Sequence, residues 1–70
     1  MINQMVLSTE LEWIGYEHKT NILQVEFIEG RVYQYQNVPV EVYEAFLIAS
    51  SYGKFFEEKI KGCFPYRKIK

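Results

Sequence analysis

Residues 22–36 read Ile22-Leu23-Gln24-Val25-Glu26-Phe27-Ile28-Glu29-Gly30-Arg31-Val32-Tyr33-Gln34-Tyr35-Gln36, and this stretch decides the fold. Leu23, Val25 and Phe27 alternate with Gln24 and Glu26, the period of two that puts one face of a strand in a core and the other in water. Glu29-Gly30 supplies a tight connection in which glycine takes a positive φ. Arg31 to Gln36 then return antiparallel, with Tyr33 and Tyr35 sharing a face. Strands are therefore predicted over residues 22–28 and 31–36.

Upstream, Glu10-Leu11-Glu12-Trp13-Ile14-Gly15-Tyr16-Glu17 reads as a further strand, because aromatic and β-branched residues alternate loosely with acids and Gly15 argues against a helix. Polar Glu17 to Asn21 make the turn. Downstream the period changes at Val38-Pro39: proline suits a first helical turn, and Val42, Tyr43, Phe46, Leu47 and Ala49 follow at helical spacing, which predicts a helix over residues 39–50. Ser51 has the chemistry of an N-cap for a second helix, in which Phe56 and Ile60 stand four apart and Lys59 and Lys61 point away from them. Gly62 ends that helix. Cys63 to Arg67 are expected to be extended, as an edge strand or an arm, since Pro65 removes a ladder donor. The expected fold is α+β, with a three-stranded antiparallel β-meander followed by two helices and a short C-terminal strand or arm, in one domain over residues 1–70.

At 70 residues the chain is close to the lower size limit for an independent core. A lone cysteine, Cys63, cannot form an internal disulfide, and one cysteine with one histidine is too few for a Cys/His zinc site. Oligomerisation is the simplest remaining support, and twelve aromatic residues exceed what so small a core readily buries, so a homo-oligomer is expected with some rings at an interface or in a ligand groove. No charged leader with an apolar h-region is present, and no apolar run approaches the ~18 residues of a membrane helix, so a soluble, cytoplasmic protein without a membrane partner is expected.

Charge is segregated along the chain. Residues 1–53 carry two bases against seven acids, a net −5, whereas residues 54–70 carry six bases against two acids, a net +4. A basic C-terminal quarter suits nucleic acid or another anion, and equally suits docking on an acidic protein surface.

The ordered set Tyr33-x-Tyr35-x-x-Val38-Pro39, Tyr43, Ala49-Ser50-Ser51-x-Gly53-x-Phe55-Phe56 and Ile60-Lys61 resembles the KTSC domain, named from the C-terminal region of certain lysyl-tRNA synthetases. Ser8, Ile14-Gly15-Tyr16, Leu23, Phe27 and Gly30 also fit that pattern, which covers about residues 6–68. Glu57 stands where the family often has Asn, Lys61 where Arg is common and Phe64 where Tyr is usual. The resemblance implies a small stand-alone bacterial or phage protein without an established activity, and its occurrence in the synthetase suggests RNA binding.

Three sets of residues carry candidate chemistry. Ser50-Ser51-Tyr52-Gly53-Lys54 would present free backbone N–H groups and an ammonium to a phosphate, or else Ser51 only caps the helix and Gly53 only permits close packing. Lys59, Lys61, Arg67, Lys68 and Lys70, interleaved with Phe64 and Tyr66, would meet phosphates while the rings stack on bases, or else remain a solvated face. Tyr33, Tyr35, Trp13 and Tyr16 are either a stacking platform or core. Catalysis finds little footing: His18 sits in a turn, Cys63 reads as a small, partly buried thiol, and adjacent Glu57 and Glu58 point apart. The expectation is a non-enzymatic module without a cofactor that binds RNA or a phosphate-bearing nucleotide. Ser51, Gly53 and Lys54 would contact phosphate, Arg67 and Lys68 would supply charge, and Tyr33, Tyr35 and Tyr66 would stack. The alternative is a protein-interaction module, in a phage protein one that acts on a host factor.

Overall fold

The hairpin read from residues 22–36 lies at the centre of a five-stranded antiparallel sheet whose strands are ordered as they occur in the chain. The computed structural model describes the backbone of residues 2–5 and the whole of residues 11–70; Ser8 and Glu10, which the sequence reading used, lie outside the described residues. The elements are β1 (Ile2–Met5), β2 (Leu11–Glu17), β3 (Ile22–Phe27), β4 (Val32–Tyr35), α1 (Val40–Leu47), α2 (Tyr52–Phe55), a π-helical turn (Phe56–Ile60) and β5 (Tyr66–Lys68). The meander, the two helical segments and the C-terminal strand match the expected α+β order. β1 is an addition: it pairs with β2 from Ile2 opposite Tyr16 to Met5 opposite Trp13.

Alternation sorts the sheet into two faces. Ile14 pairs with Val25, Tyr16 with Leu23, and Leu23 with Tyr35, and all of these rings and branched chains enter the core beneath the helices. Gln24 pairs with Gln34 on the opposite face, where the Gln34 amide donates to Gln24 Oε1 at 3.0 Å. A bulge between Leu11 and Trp13 adds one residue to β2. In a regular strand those two residues would share a face; the extra residue keeps Leu11 fully buried opposite Phe27 and turns Trp13 outward opposite Glu26. Phe46, Phe56 and Ile60 close the core from the helical side.

Two left-handed glycines do the work read from the sequence. Gly30 takes φ +105° in the β3–β4 connection, and Gly62 takes φ +79° after the π turn. α1 is shorter than the predicted 39–50. Pro39 precedes it in an extended conformation, the helix stops after Leu47, and the Ala49 amide closes back on the Phe46 carbonyl. Ile48 leaves helical geometry at φ −103°, ψ 8°, and by Ser51 the chain is extended (φ −140°, ψ 112°) and caps α2.

The tip of the β2–β3 hairpin is tied to the start of α1. Asn21 adopts φ +56°, its carbonyl accepts from the Val38 amide at 2.9 Å, and the buried Tyr16 hydroxyl lies 2.5 Å from the Val38 carbonyl and 3.0 Å from Asn21 Oδ1. Removing one partner of a buried hydrogen bond leaves the other desolvated without compensation. Tyr16→Phe is expected to lower unfolding stability by about 1–3 kcal/mol, read from the urea midpoint. An unchanged midpoint would show that the latch is dispensable.

Candidate ligand-binding site

The alternation that buries Leu23, Val25 and Phe27 also brings Tyr33 and Tyr35 to the helical face, and β5 continues the pattern by pairing Tyr66 with Tyr35 and Lys68 with Tyr33. Across from them, the turn at residues 56–60 is wound one residue wider than an α-helix, its closing bond running from the Lys61 amide to the Phe56 carbonyl. That winding drives Phe56 and Ile60 into the core and leaves Glu57 and Lys61 on a wall.

Between wall and sheet lies a groove of about 540 Å³. Its aromatic lining is a closed circuit of five rings. Phe27 meets Tyr33 at 5.8 Å between centroids, Tyr33 meets Tyr66 at 5.6 Å, Tyr66 meets Tyr35 at 5.5 Å, Tyr35 meets Phe56 at 5.7 Å, and Phe56 returns to Phe27 at 5.4 Å. Four of these contacts are edge-to-face, the arrangement the ring quadrupole favours. Phe27, Tyr35 and Phe56 form the buried floor, whereas Tyr66, 60 % exposed, keeps much of its surface open to solvent.

Charge sits at the rim in two pairs. The Arg31 guanidinium lies over the Phe27 ring at 4.8 Å and 5.9 Å from the Tyr33 centroid, while its Nε donates to Glu29 Oε1 at 2.6 Å. Lys61 and Glu57 face each other at 3.6 Å, an ion pair too long to be a good hydrogen bond. Burial, assisted by Tyr33, Tyr66 and Glu57 nearby, pushes the Tyr35 hydroxyl up to about 12 from an ordinary 10.0. The phenol therefore remains a neutral donor throughout the physiological range.

The structure divides the residues singled out from sequence. Tyr33, Tyr35 and Tyr66 come together in the groove, with Lys61 at its rim. Ser51, Gly53 and Lys54 lie outside it: Ser51 Oγ accepts from the Lys54 amide at 3.3 Å, so the serine is engaged as an N-cap of a four-residue helix. Arg67 and Lys68 are neighbours on a strand and so point to opposite faces. Arg67 pairs with Gln34 on the outer face, and Lys68 is on the groove face beside Tyr33. Tyr16 is core, and Trp13 is on the far face of the sheet. Cys63 is exposed rather than partly buried, because the chain turns outward after Ile60. Phe27, Arg31, Phe56 and Glu57 were missed as lining residues. The parity of Arg31, Tyr33 and Tyr35 in one strand was the available signal for the arginine.

Among the described residues no group of His, Cys, Asp and Glu is placed to hold a metal ion, and no helix is long and apolar enough to cross a membrane.

The family model described as the KTSC domain matches residues 7–64, and so takes in most of the groove as well as the core. The chain belongs to the KTSC domain family. A KTSC domain protein from Yersinia pestis, known from a crystal structure, superposes with a TM-score of 0.92 at 38 % identity, covering 99 % of this chain and 97 % of that one. An uncharacterised protein of Stutzerimonas stutzeri is 43 % identical over 54 residues, 77 % of this chain and 76 % of its own length. A lysine–tRNA ligase of Nostoc punctiforme is 39 % identical over 59 residues, which is 84 % of this chain but only 10 % of the ligase. The KTSC domain thus occurs both in small bacterial proteins and as a minor part of a much longer enzyme.

Proposed function

We propose that this KTSC domain is a non-enzymatic cytoplasmic module that binds single-stranded RNA, or a phosphate-bearing nucleotide, by taking an unstacked base into the aromatic groove. The observation that carries this reading is the convergence of Tyr33, Tyr35 and Tyr66 with Phe27 and Phe56 around a groove of about 540 Å³, within the range that suits small ligands. Every base has a π-face, so aromatic rings hold bases with little regard to sequence. Arg31 and Lys61 at the rim, with Lys68 beside Tyr33, supply cations for the phosphates on either side of the base. The similarity to a region of a lysine–tRNA ligase supports an RNA setting. In this reading the Ser51-Gly53-Lys54 segment has a structural role, and Arg67 adds only to the general positive field.

Titration calorimetry with a single-stranded RNA hexamer tests the proposal. Tyr66→Ala removes an exposed ring and is expected to weaken binding about 10–100-fold, since stacking on one base contributes roughly 1–3 kcal/mol. Lys54→Ala should leave affinity within about twofold. Raising salt should weaken the wild-type complex, and Lys68→Ala should flatten that dependence. Equal affinities for wild type and Tyr66→Ala would remove the groove from consideration.

The competing reading, a protein-interaction module or homo-oligomer, draws on Ile28, Ile48 and Ile69, which are exposed at 54 %, 85 % and 49 %. Native mass spectrometry of protein purified without added ligand separates the two: retained nucleotide supports the groove, and a clean multimer supports the interface.

A further inference from the structure

We infer that the groove selects guanine, and that Glu57 reads it. This rests on the base-binding reading above and adds to it the identity of the base. The premise is a difference between the two carboxylates of the groove. Glu29 is held by Arg31 through both an ion pair and a hydrogen bond at 2.6 Å. Among the described residues Glu57 meets only Lys61, at 3.6 Å, with both side chains more than half exposed, so its oxygens keep their accepting capacity.

A carboxylate with open lone pairs beside a stacking surface is a filter for hydrogen-bond donors. Guanine alone among the four common bases presents two adjacent donors, N1–H and the N2 amino group, on its Watson–Crick edge. A carboxylate accepts both at once, and such charge-assisted bidentate pairs are the stronger class of hydrogen bond. Adenine and cytosine present a ring nitrogen acceptor beside their amino group, which the carboxylate repels. Uracil presents one donor between two carbonyl oxygens. Discrimination therefore comes from repulsion of the wrong edges as well as attraction of the right one.

The placement fits. Glu57 lies on the helical wall and Tyr66 on the sheet, so a base stacked on the tyrosine would turn its edge toward the wall. Glu57 stands at the rim of that wall, half exposed, where its carboxylate can meet the edge of a base whose face lies on Tyr66. Once Glu57 accepts from a base, Lys61 is released from its weak pair and becomes available to the ligand phosphate.

Affinities of the full chain for GMP, IMP and AMP, measured by calorimetry, test the inference. All three carry the same ribose and phosphate, so their differences belong to the base. GMP is expected to bind about tenfold or more tightly than AMP, with IMP, which lacks the N2 amino group, between them. Glu57→Gln keeps the size of an exposed side chain but sets an amide donor against the guanine donors. It should weaken GMP and, with the repulsion of the adenine ring nitrogen gone, strengthen AMP, so that the two affinities converge. Equal binding of GMP and AMP, or a guanine preference that survives Glu57→Gln, overturns the role of Glu57 and leaves base binding standing. Failure of all three nucleotides to bind overturns the guanine reading, and failure of the RNA hexamer as well overturns base binding with it.

Discussion

Phe56→Ala is expected to leave the domain largely unfolded, or within reach of unfolding, at room temperature. Phe56 is 4 % exposed, stands at the junction of α2 and the π turn, and places its ring against Phe27 of β3 and Tyr35 of β4. It is both core and groove floor. Truncating a buried phenylalanine to alanine removes about 3–5 kcal/mol through lost transfer free energy and the cavity left behind. A folded chain of this length has a total stability of roughly 4–10 kcal/mol, so one substitution consumes much of it. The cavity has little chance to collapse, because sheet residues fix one side and the wound turn fixes the other. Phe56→Leu retains most of the volume and should cost no more than about 1–2 kcal/mol. Urea unfolding followed by far-ultraviolet circular dichroism distinguishes the pair: a loss under about 1 kcal/mol in the alanine variant would show that the helical wall is held to the sheet by other contacts.

The same residue illustrates what sequence could and could not reveal. Residues 22–36 were legible because a half-buried hairpin writes its two faces into alternate positions, and β3 and β4 fall within the predicted spans at Ile22–Phe27 and Val32–Tyr35. β1 was not, because Ile2-Asn3-Gln4-Met5 has no alternation and its strand is defined by pairing with β2. The second helix was expected from Ser51 to Gly62, yet its change from α to π winding depends on the bond between Lys61 and Phe56, which no local preference announces. Half of the groove was therefore readable and half was not. Tyr33, Tyr35 and Tyr66 follow from strand parity, whereas Glu57 and Lys61 reach it only because the turn packs across the sheet. Strand parity also divides Arg67 from Lys68, a separation that follows once residues 66–68 are taken as a strand rather than a basic tail.

Alkali should unfold this domain over a defined window. Tyr35 titrates near 10 in an unfolded chain but is pushed up to about 12 in the fold, chiefly by burial and then by neighbouring Tyr33, Tyr66 and Glu57. Burial likewise raises Tyr16, with Glu41 adding to it, and raises Tyr43. The sign follows from proton counting. Below pH 10 both states keep the phenolic proton, and the contribution of Tyr35 to stability is fully present. Between pH 10 and 12 the unfolded chain has released that proton while the folded chain retains it, so each step upward favours unfolding. Since one unit of pKa difference corresponds to about 1.4 kcal/mol, and solvent reaching the phenol from the open groove screens part of it, Tyr35 alone accounts for a loss of at most about 2 kcal/mol by pH 12. Tyr16 and Tyr43 deepen the loss in the same direction. Urea midpoints measured from pH 8 to 11.5 should be flat to about pH 9.5 and fall beyond it, and tyrosinate absorbance near 295 nm should continue to rise as unfolding proceeds. Tyr35→Phe keeps the ring in the aromatic circuit and removes the titrating group, so its midpoints should fall less steeply above pH 10. A variant curve parallel to wild type would mean that Tyr35 meets alkali as an ordinary exposed phenol, and that the floor of the groove is wet.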